Sequence, residues 1–397
     1  MDVEKILNSQ FVMTDDGRID KVRDLYTIYN PEVDLEALKT GGYIEAVGRM
    51  MEPVLGQFDD RAPEVLAYWA KRGMVKEFHG DLSSMSWTEY KTRTGYHWDV
   101  PENCRQNRFK RWNSFVPVSA FDPANRGRIY PVVIVLHGGF HPISIVDGWG
   151  FVQEAARREW IVIVPSLELD DILDEILAEA KTLYPVDESR IYVTGFSYGG
   201  FMSNFLGNKR PDVYAACAPC GAPLSNGFVE QAIGPEPQAP FDGVPRALAM
   251  QTYMPVFNAI GELDGHRFPV CHADESGGRM RNSMQELLDG INSWARVNHA
   301  PEITEASVLA LRDGAEATAE ERVLGIPLAP GCGHTIVSDG VTNVLGDLKS
   351  DDGVVRVRLM CMRNMPHWPT PEMVHQIFEF FSHFSRDPAT KESIYTA

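Results

Sequence analysis

The sequence predicts an α/β fold with a mostly parallel central sheet, helices on both faces and an N-terminal helical extension. Three observations carry this. Continuous β-branched runs, VVIVL from Val132 and IVIVP from Ile161, suit strands covered on both faces rather than strands with one wet side. Segments of helical period alternate with such runs through most of the chain, the pattern of parallel strands joined by crossover helices. The first 80 or so residues instead carry mainly helical spacing, as in DLEALKTGGYIEAVGRMMEPVL and APEVLAYWAKRGM, punctuated by Gly41-Gly42, Pro53 and Pro63.

Taken in order, residues 1–84 form a helical extension, a lid or a dimer arm, and residues 85–397 form the main domain. RFKRWNSFVPVSA alternates like an edge strand. VVIVL, the helix GFVQEAARREW and the strand IVIVP follow. The helix LDDILDEILAEAKTLYP leads into the strand RIYVTG, and another helix starts near Gly200. YAACA and PVFNAIG read as strands and RMRNSMQELLDGINSWARV as a helix. VVRVRLMCM is the last strand and PEMVHQIFEFFSHFSR the last helix. Residues 222–255 and 300–350 break the rhythm with Pro-, Gly- and Ala/Glu-rich sequence. Both are expected as cap insertions over a pocket.

Charge narrows the partners. The 397 residues hold 37 Lys and Arg against 55 Asp and Glu, a net charge of −18. Phosphate backbones and anionic membranes attract basic surfaces, so neither is an expected partner. No stretch approaches the roughly 20 apolar residues that span a bilayer. The start, MDVEKILNSQFVMTDDGRID, is charged throughout, and a cytoplasmic protein is expected. The six cysteines (104, 217, 220, 271, 332 and 361) are scattered, which suits buried thiols more than a disulfide framework. Cys217 and Cys220 have C-x-x-C spacing but no second such pair, so no structural zinc is expected.

The strongest motif is Gly195-Phe196-Ser197-Tyr198-Gly199, a G-x-S-x-G between the strand IYVT and the helix GFMSNFLGN. Strand, tight turn and helix are the context of a nucleophile elbow in the α/β-hydrolase fold, which pushes the serine hydroxyl out at the carboxyl end of the sheet. Small flanking residues permit the strained turn. The second motif is Leu136-His137-Gly138-Gly139-Phe140, directly after VVIVL. It supplies an oxyanion donor from the N–H of Gly139, with Phe140 as the fallback, beside the Tyr198 N–H. Removing such a donor costs about 3–4 kcal/mol of barrier.

A serine nucleophile needs a base, and the base an orienting carboxylate. Asp264 follows the strand PVFNAIG and is the expected acid. Glu262 is the alternative and Asp274 a weaker one. His367 lies between the last strand and the last helix and is the expected base, with His334 in Gly-Cys-Gly-His-Thr as its rival. His375 and His383 fall within the last helix and read as structural, and His137 as a stabiliser of its own loop. Phe140, Trp149, Tyr198 and Trp368 adjoin these segments as candidate pocket aromatics. The expected chemistry needs no cofactor and no metal.

From about 110 to 385 the chain resembles the polyhydroxybutyrate depolymerase and feruloyl esterase branch of the α/β-hydrolases. The resemblance rests on PVVIVLHGG, Gly148-Trp149, RIYVTGFSYGGFMSN, YAACAPCGAP and PHWP before EFF. It implies a Ser–Asp–His triad at Ser197, Asp264 and His367, and hydrolysis of aryl or hydroxyacyl carboxylic esters. The sequence departs from the family at Met365-Pro366-His367-Trp368-Pro369, where Gly-His-Thr-Trp-Pro is usual, and at Glu-Leu-Asp-Gly around the acid. A small soluble ester is therefore expected in place of a polymer, and a homo-oligomer is allowed. Two other functions stand beside the esterase: a peptidase or amidase of prolyl-oligopeptidase type, and a non-catalytic ligand receptor on a hydrolase scaffold.

Overall fold

A computed structural model of the chain describes residues 60–80, 111–138, 143–166, 170–224, 244–262, 264, 268–275, 282–314, 316–338, 340–363, 365 and 367–397. Helix α1 (Pro63–Lys71) and strand β1 (Met74–His79) come first. Strands β2 (Trp112–Pro117) and β3 (Tyr130–Leu136) follow, then α2 (Phe151–Arg158) and β4 (Ile161–Pro165). Next are α3 (Asp170–Leu183), β5 (Val186–Phe196), α4 (Tyr198–Lys209) and β6 (Ala216–Cys220). After them come α5 (Arg246–Met250), β7 (Val256–Gly261) and α6 (Met284–Val297). Helices α7 (Glu305–Arg312) and α8 (Ala319–Leu324) precede β8 (Gly333–Ser338), β9 (Val341–Lys349) and β10 (Val355–Met362). Helix α9 (Pro371–Ser382) and a hairpin of β11 (Phe384–Arg386) and β12 (Ser393–Tyr395) complete the chain.

Ten strands form one sheet in the order β1-β2-β4-β3-β5-β6-β7-β10-β9-β8. Its middle six, β4-β3-β5-β6-β7-β10, run parallel, and an antiparallel pair extends each side. Every residue of β3 and of β4 is buried, as a continuous apolar run demands. Helices α1, α2 and α9 cover one face of the sheet. They bury Trp69 of α1, Phe151 of α2, and Ile377 and Phe381 of α9 against it. On the other face lie Leu173 of α3, Phe205 of α4 and Trp294 of α6. From β3 the chain first adds β4 on one side and then crosses back to place β5 on the other. Such a reversal opens a crevice at the carboxyl ends of the two strands. Ser197 follows β5 there, and the His-Gly-Gly loop follows β3.

The structure corrects three expectations. The strand around residues 112–117 is fully buried and second from the edge, because MVKEFH, placed in the helical extension by sequence, pairs outside it as β1. Residues 60–80 therefore belong with the sheet of the main domain and not with a separate helical extension; residues 1–59 and 81–110 lie outside the described residues. Within 300–350, residues 333–349 form no cap: β8 and β9 pair antiparallel and lengthen the sheet beyond β10. The cap expected at 222–255 falls largely on residues 225–243, outside the described residues.

A buried charge cluster fastens the start of the described chain to the sheet. Lys76, with no side-chain exposure, donates to Asp60 at 2.9 Å and to both carboxylate oxygens of Asp147 at 2.8 and 3.0 Å. The Trp69 indole N–H also donates to Asp147, and the Asn113 amide to Asp60. Burial pushes Asp147 up to about 6 against the pull of Lys76. Burial disfavours the Lys76 ammonium, but the two carboxylates outweigh it and hold its pKa above the ordinary lysine value. Lys76→Met would leave two buried carboxylates uncompensated, and urea unfolding should show a loss of about 3–5 kcal/mol. A loss under about 1 kcal/mol would mean that the cluster is solvated in solution.

Candidate active site

Ser197 occupies the turn between β5 and α4 with φ +60° and ψ −116°, in the region that side chains avoid. Such a conformation costs about 1–3 kcal/mol and persists only where neighbours fix it. Here the Ser197 N–H donates to the Cys220 carbonyl at the end of β6 (2.9 Å), and the Ser197 carbonyl accepts from the Phe201 N–H (3.0 Å). The glycines are dictated by close approach. A methyl group at Gly195 would meet the Gly199 carbonyl and Leu136. At Gly199 it would meet the carbonyls of Leu136 and His137, and at Gly200 that of Cys220. The ends of β3, β5 and β6 and the start of α4 thus converge on the serine. Tyr198, half-buried, is the first residue of α4, so no carbonyl within the helix can accept its N–H. The positive end of the helix dipole favours negative charge here.

His367 is buried, and its Nδ1–H donates to Asp264 Oδ2 at 2.8 Å; Asp264 is fully buried. The imidazole packs on the ring of Phe196, the residue before Ser197, with centroids 4.7 Å apart. Its Cε1 also lies 3.0 Å from the point where Gly221 would carry a Cβ, and Gly221 follows the carbonyl that accepts the Ser197 N–H. Gly221 has φ +58°, a second reason for glycine there. The fold therefore brings Ser197 and the Asp264–His367 pair to the same end of β5, β6 and β7.

Residues 165–227, which contain the elbow, match the family model described as the prolyl oligopeptidase family. The chain is 27% identical over 119 residues to poly(3-hydroxyalkanoate) depolymerase C of Paucimonas lemoignei, covering 24% of this chain and 28% of that protein. It is 33% identical over 90 residues to feruloyl esterase B of Piromyces equi, covering 22% and 16% respectively. The mostly parallel sheet with helices on both faces and the strand–serine–helix turn after β5 give the chain the α/β-hydrolase fold. The match spans less than a third of either relative's length. Among solved structures it is similar to a fluorophosphonate-binding serine hydrolase of Staphylococcus aureus, at TM-score 0.34 and 16% identity, covering 38% of this chain and 73% of that one. A feruloyl esterase module from Clostridium thermocellum complexed with sinapinate gives TM-score 0.34 at 13% identity, with 58% and 75% covered.

The other candidates sit as follows. His334 is on β8, at the far edge of the sheet and five strands from β5, roughly 24 Å at ordinary strand spacing. It pairs with Asp347 at 3.0 Å, which also receives Arg358. Glu262 is held by Arg363 at 3.0 Å. The side chain of Asp274 lies outside the described residues, as do Gly139 and Phe140. His375 and His383 lie on and just after α9, beside Glu154 and Glu379. Trp149 is fully buried and edge-on to Phe196, where it backs the elbow, whereas Trp368 keeps a little exposure next to His367. Cys217 and Cys220 are buried thiols that alternate to opposite faces of β6. Among the described residues no group of three or more His, Cys, Asp and Glu could hold a metal, and no helix is long and apolar enough to cross a membrane.

Sequence reasoning missed Phe196 and Gly221. Phe196 fills a free position of the motif, so no residue type marked it. Gly221, directly after the strand YAACAPC, was the available signal for a close approach.

His137 is buried, with its Nδ1–H donated to its own loop's Gly138 carbonyl at 2.8 Å and Nε2 3.4 Å from the Ser166 carbonyl. Burial depresses its pKa below the ordinary histidine value of 6.5. The unfolded chain then binds the proton more readily, so stability is full above that value and is lost as pH falls below it. His137→Asn should flatten the acid-side decline of the urea midpoint; an unchanged decline would show that His137 does not contribute to it. Gly199→Ala should cost about 1–3 kcal/mol in the same assay, because the methyl must displace backbone carbonyls. An unchanged midpoint would show that the elbow is looser than described.

Proposed function

We propose that this chain is a serine hydrolase that cleaves carboxylic esters through an acyl-enzyme on Ser197. The observation that carries the proposal is the Asp264–His367 hydrogen bond beside an elbow whose backbone is fixed at φ +60°. With Nδ1–H committed to Asp264, Nε2 is the imidazole atom able to take the Ser197 proton as the hydroxyl attacks a carbonyl carbon. Asp264 holds that tautomer and stabilises the imidazolium. The Tyr198 N–H, with that of Gly139, receives the oxyanion. His367 returns the proton to the leaving alcohol, and water then releases the acid by the same steps.

The substrate is proposed to be a small soluble ester with an aryl or hydroxyacyl group. This follows the two curated relatives, a hydroxyalkanoate depolymerase and a feruloyl esterase by name. Trp368 and Phe140 are the proposed walls of its pocket; Trp149, fully buried against Phe196, is not among them. The match to the prolyl oligopeptidase family ends at residue 227, before Asp264 and His367, so it supports the nucleophile's setting without choosing the scissile bond. Buried thiols at all five described cysteines suit a reducing compartment, and the cytoplasm is the proposed setting.

Kinetics on p-nitrophenyl esters and peptide anilides test this. Ser197→Ala and His367→Ala should each lower kcat on p-nitrophenyl acetate about 10³-fold or more, and Asp264→Asn about 10²-fold or more, with KM little changed. Faster cleavage of anilides than of esters would favour the peptidase, and no turnover of either would favour a receptor.

A further inference from the structure

Asn258 lies in β7, in the parallel middle of the sheet, and is 3% exposed. Asparagine is a poor strand former, and a buried amide is costly unless its hydrogens are used. Its strand neighbours on the same face, Val256 and Ile260, are the apolar residues expected there. The amide's Nδ2 donates to two backbone carbonyls of the adjacent chain segment, Pro219 and Ala222, each at 2.8 Å. One side chain thereby spans the turn at the end of β6.

That turn touches the Ser197 backbone, the His367 ring and the first turn of α4. Its Cys220 carbonyl accepts the Ser197 N–H. Its Gly221 lies against the His367 ring and Phe196, and donates its own N–H to the Ala259 carbonyl of β7. Its Ala222 lies close to Gly200, in the first turn of α4. A shift of the turn would therefore move serine and imidazole relative to each other. We propose that Asn258 is a positioning residue, whose two amide hydrogens clamp residues 219–222 and so set the spacing between Ser197 and His367. This rests on the proposal that these two residues carry the reaction. The clamp touches no substrate, so it acts on the geometry of proton transfer and not on binding.

The test compares Asn258→Leu, of similar volume with no donor, and Asn258→Ser, with a single donor. Asn298→Leu is the control. Asn298 is also buried and clamps both backbone groups of Met254, away from the turn. Turnover of p-nitrophenyl acetate is expressed per active site titrated by the initial p-nitrophenol burst, which removes any unfolded fraction. Asn258→Leu should lower kcat about tenfold or more with KM within about twofold, and Asn258→Ser should lower it by about threefold to fivefold. Asn298→Leu should lower the melting temperature while leaving kcat within about twofold of wild type. Should Asn258→Leu not fold, Asn258→Ser carries the comparison alone. The inference is overturned if the folded Asn258 variants keep kcat within about twofold, or if Asn298→Leu loses as much as they do. Ser197→Ala, run alongside, separates the two levels. If it abolishes turnover while the Asn258 variants are unaffected, only the clamp fails. If it retains turnover, the proposal for Ser197 fails first.

Discussion

The backbone of Ser197, held at φ +60° between a strand and a helix, is the constraint on which the rest of the site depends. A side chain in that region is strained, and three strand ends must meet to hold it there. β3 delivers the carbonyls of Leu136 and His137 against Gly199. β6 delivers the carbonyl that takes the Ser197 N–H. α4 starts at once and takes up the serine's own carbonyl through Phe201. Each approach excludes a Cβ at one position, which is why glycine occupies 195, 199 and 200. The same convergence sets the N-terminus of α4, with its first N–H groups, directly after the serine.

The remaining groups are placed by strands further along the sheet. β7 ends just before Asp264, and β10 ends just before the loop that carries His367. Because β7 and β10 are parallel neighbours, both loops leave the same end of the sheet, and a carboxylate and an imidazole remote in sequence meet at 2.8 Å. The sheet does for Asp264 and His367 what the elbow does for Ser197. At its other margin the Lys76–Asp147 cluster ties α1 and β1 to the segment ahead of α2, two residues from Trp149, which backs Phe196. The serine is thus flanked by close backbone approaches at its glycines on one side and by packed aromatics leading to a buried ion pair on the other.

What could be read from the sequence follows from how local each constraint is. The elbow was legible because its strain selects small residues at fixed spacing within six positions. The parallel strands were legible because burial on both faces leaves continuous β-branched runs. Asp264 and His367 could be named as candidates from chain order, but the bond between them belongs to the sheet's topology. β1 was not legible: a buried Lys76 in MVKEFH breaks the apolar pattern of a strand, and its partner Asp147 is 71 residues away. β8 and β9 were hidden by Gly333 and Gly346, which a strand pattern disfavours. Gly346 is needed because a side chain there would strike Leu324 of α8 and Leu328. Trp149 read as a pocket aromatic because it adjoins the oxyanion loop, and its full burial against Phe196 is a tertiary fact.

The most direct measurement is to map the site of covalent modification after brief treatment of the folded protein with a fluorophosphonate. Intact-mass and peptide mass spectrometry should find one adduct per chain, on the Ser197 hydroxyl, forming far more slowly in His367→Ala. An adduct on another serine, or a Ser197 that stays unmodified in folded protein, would contradict an activated nucleophile at the elbow.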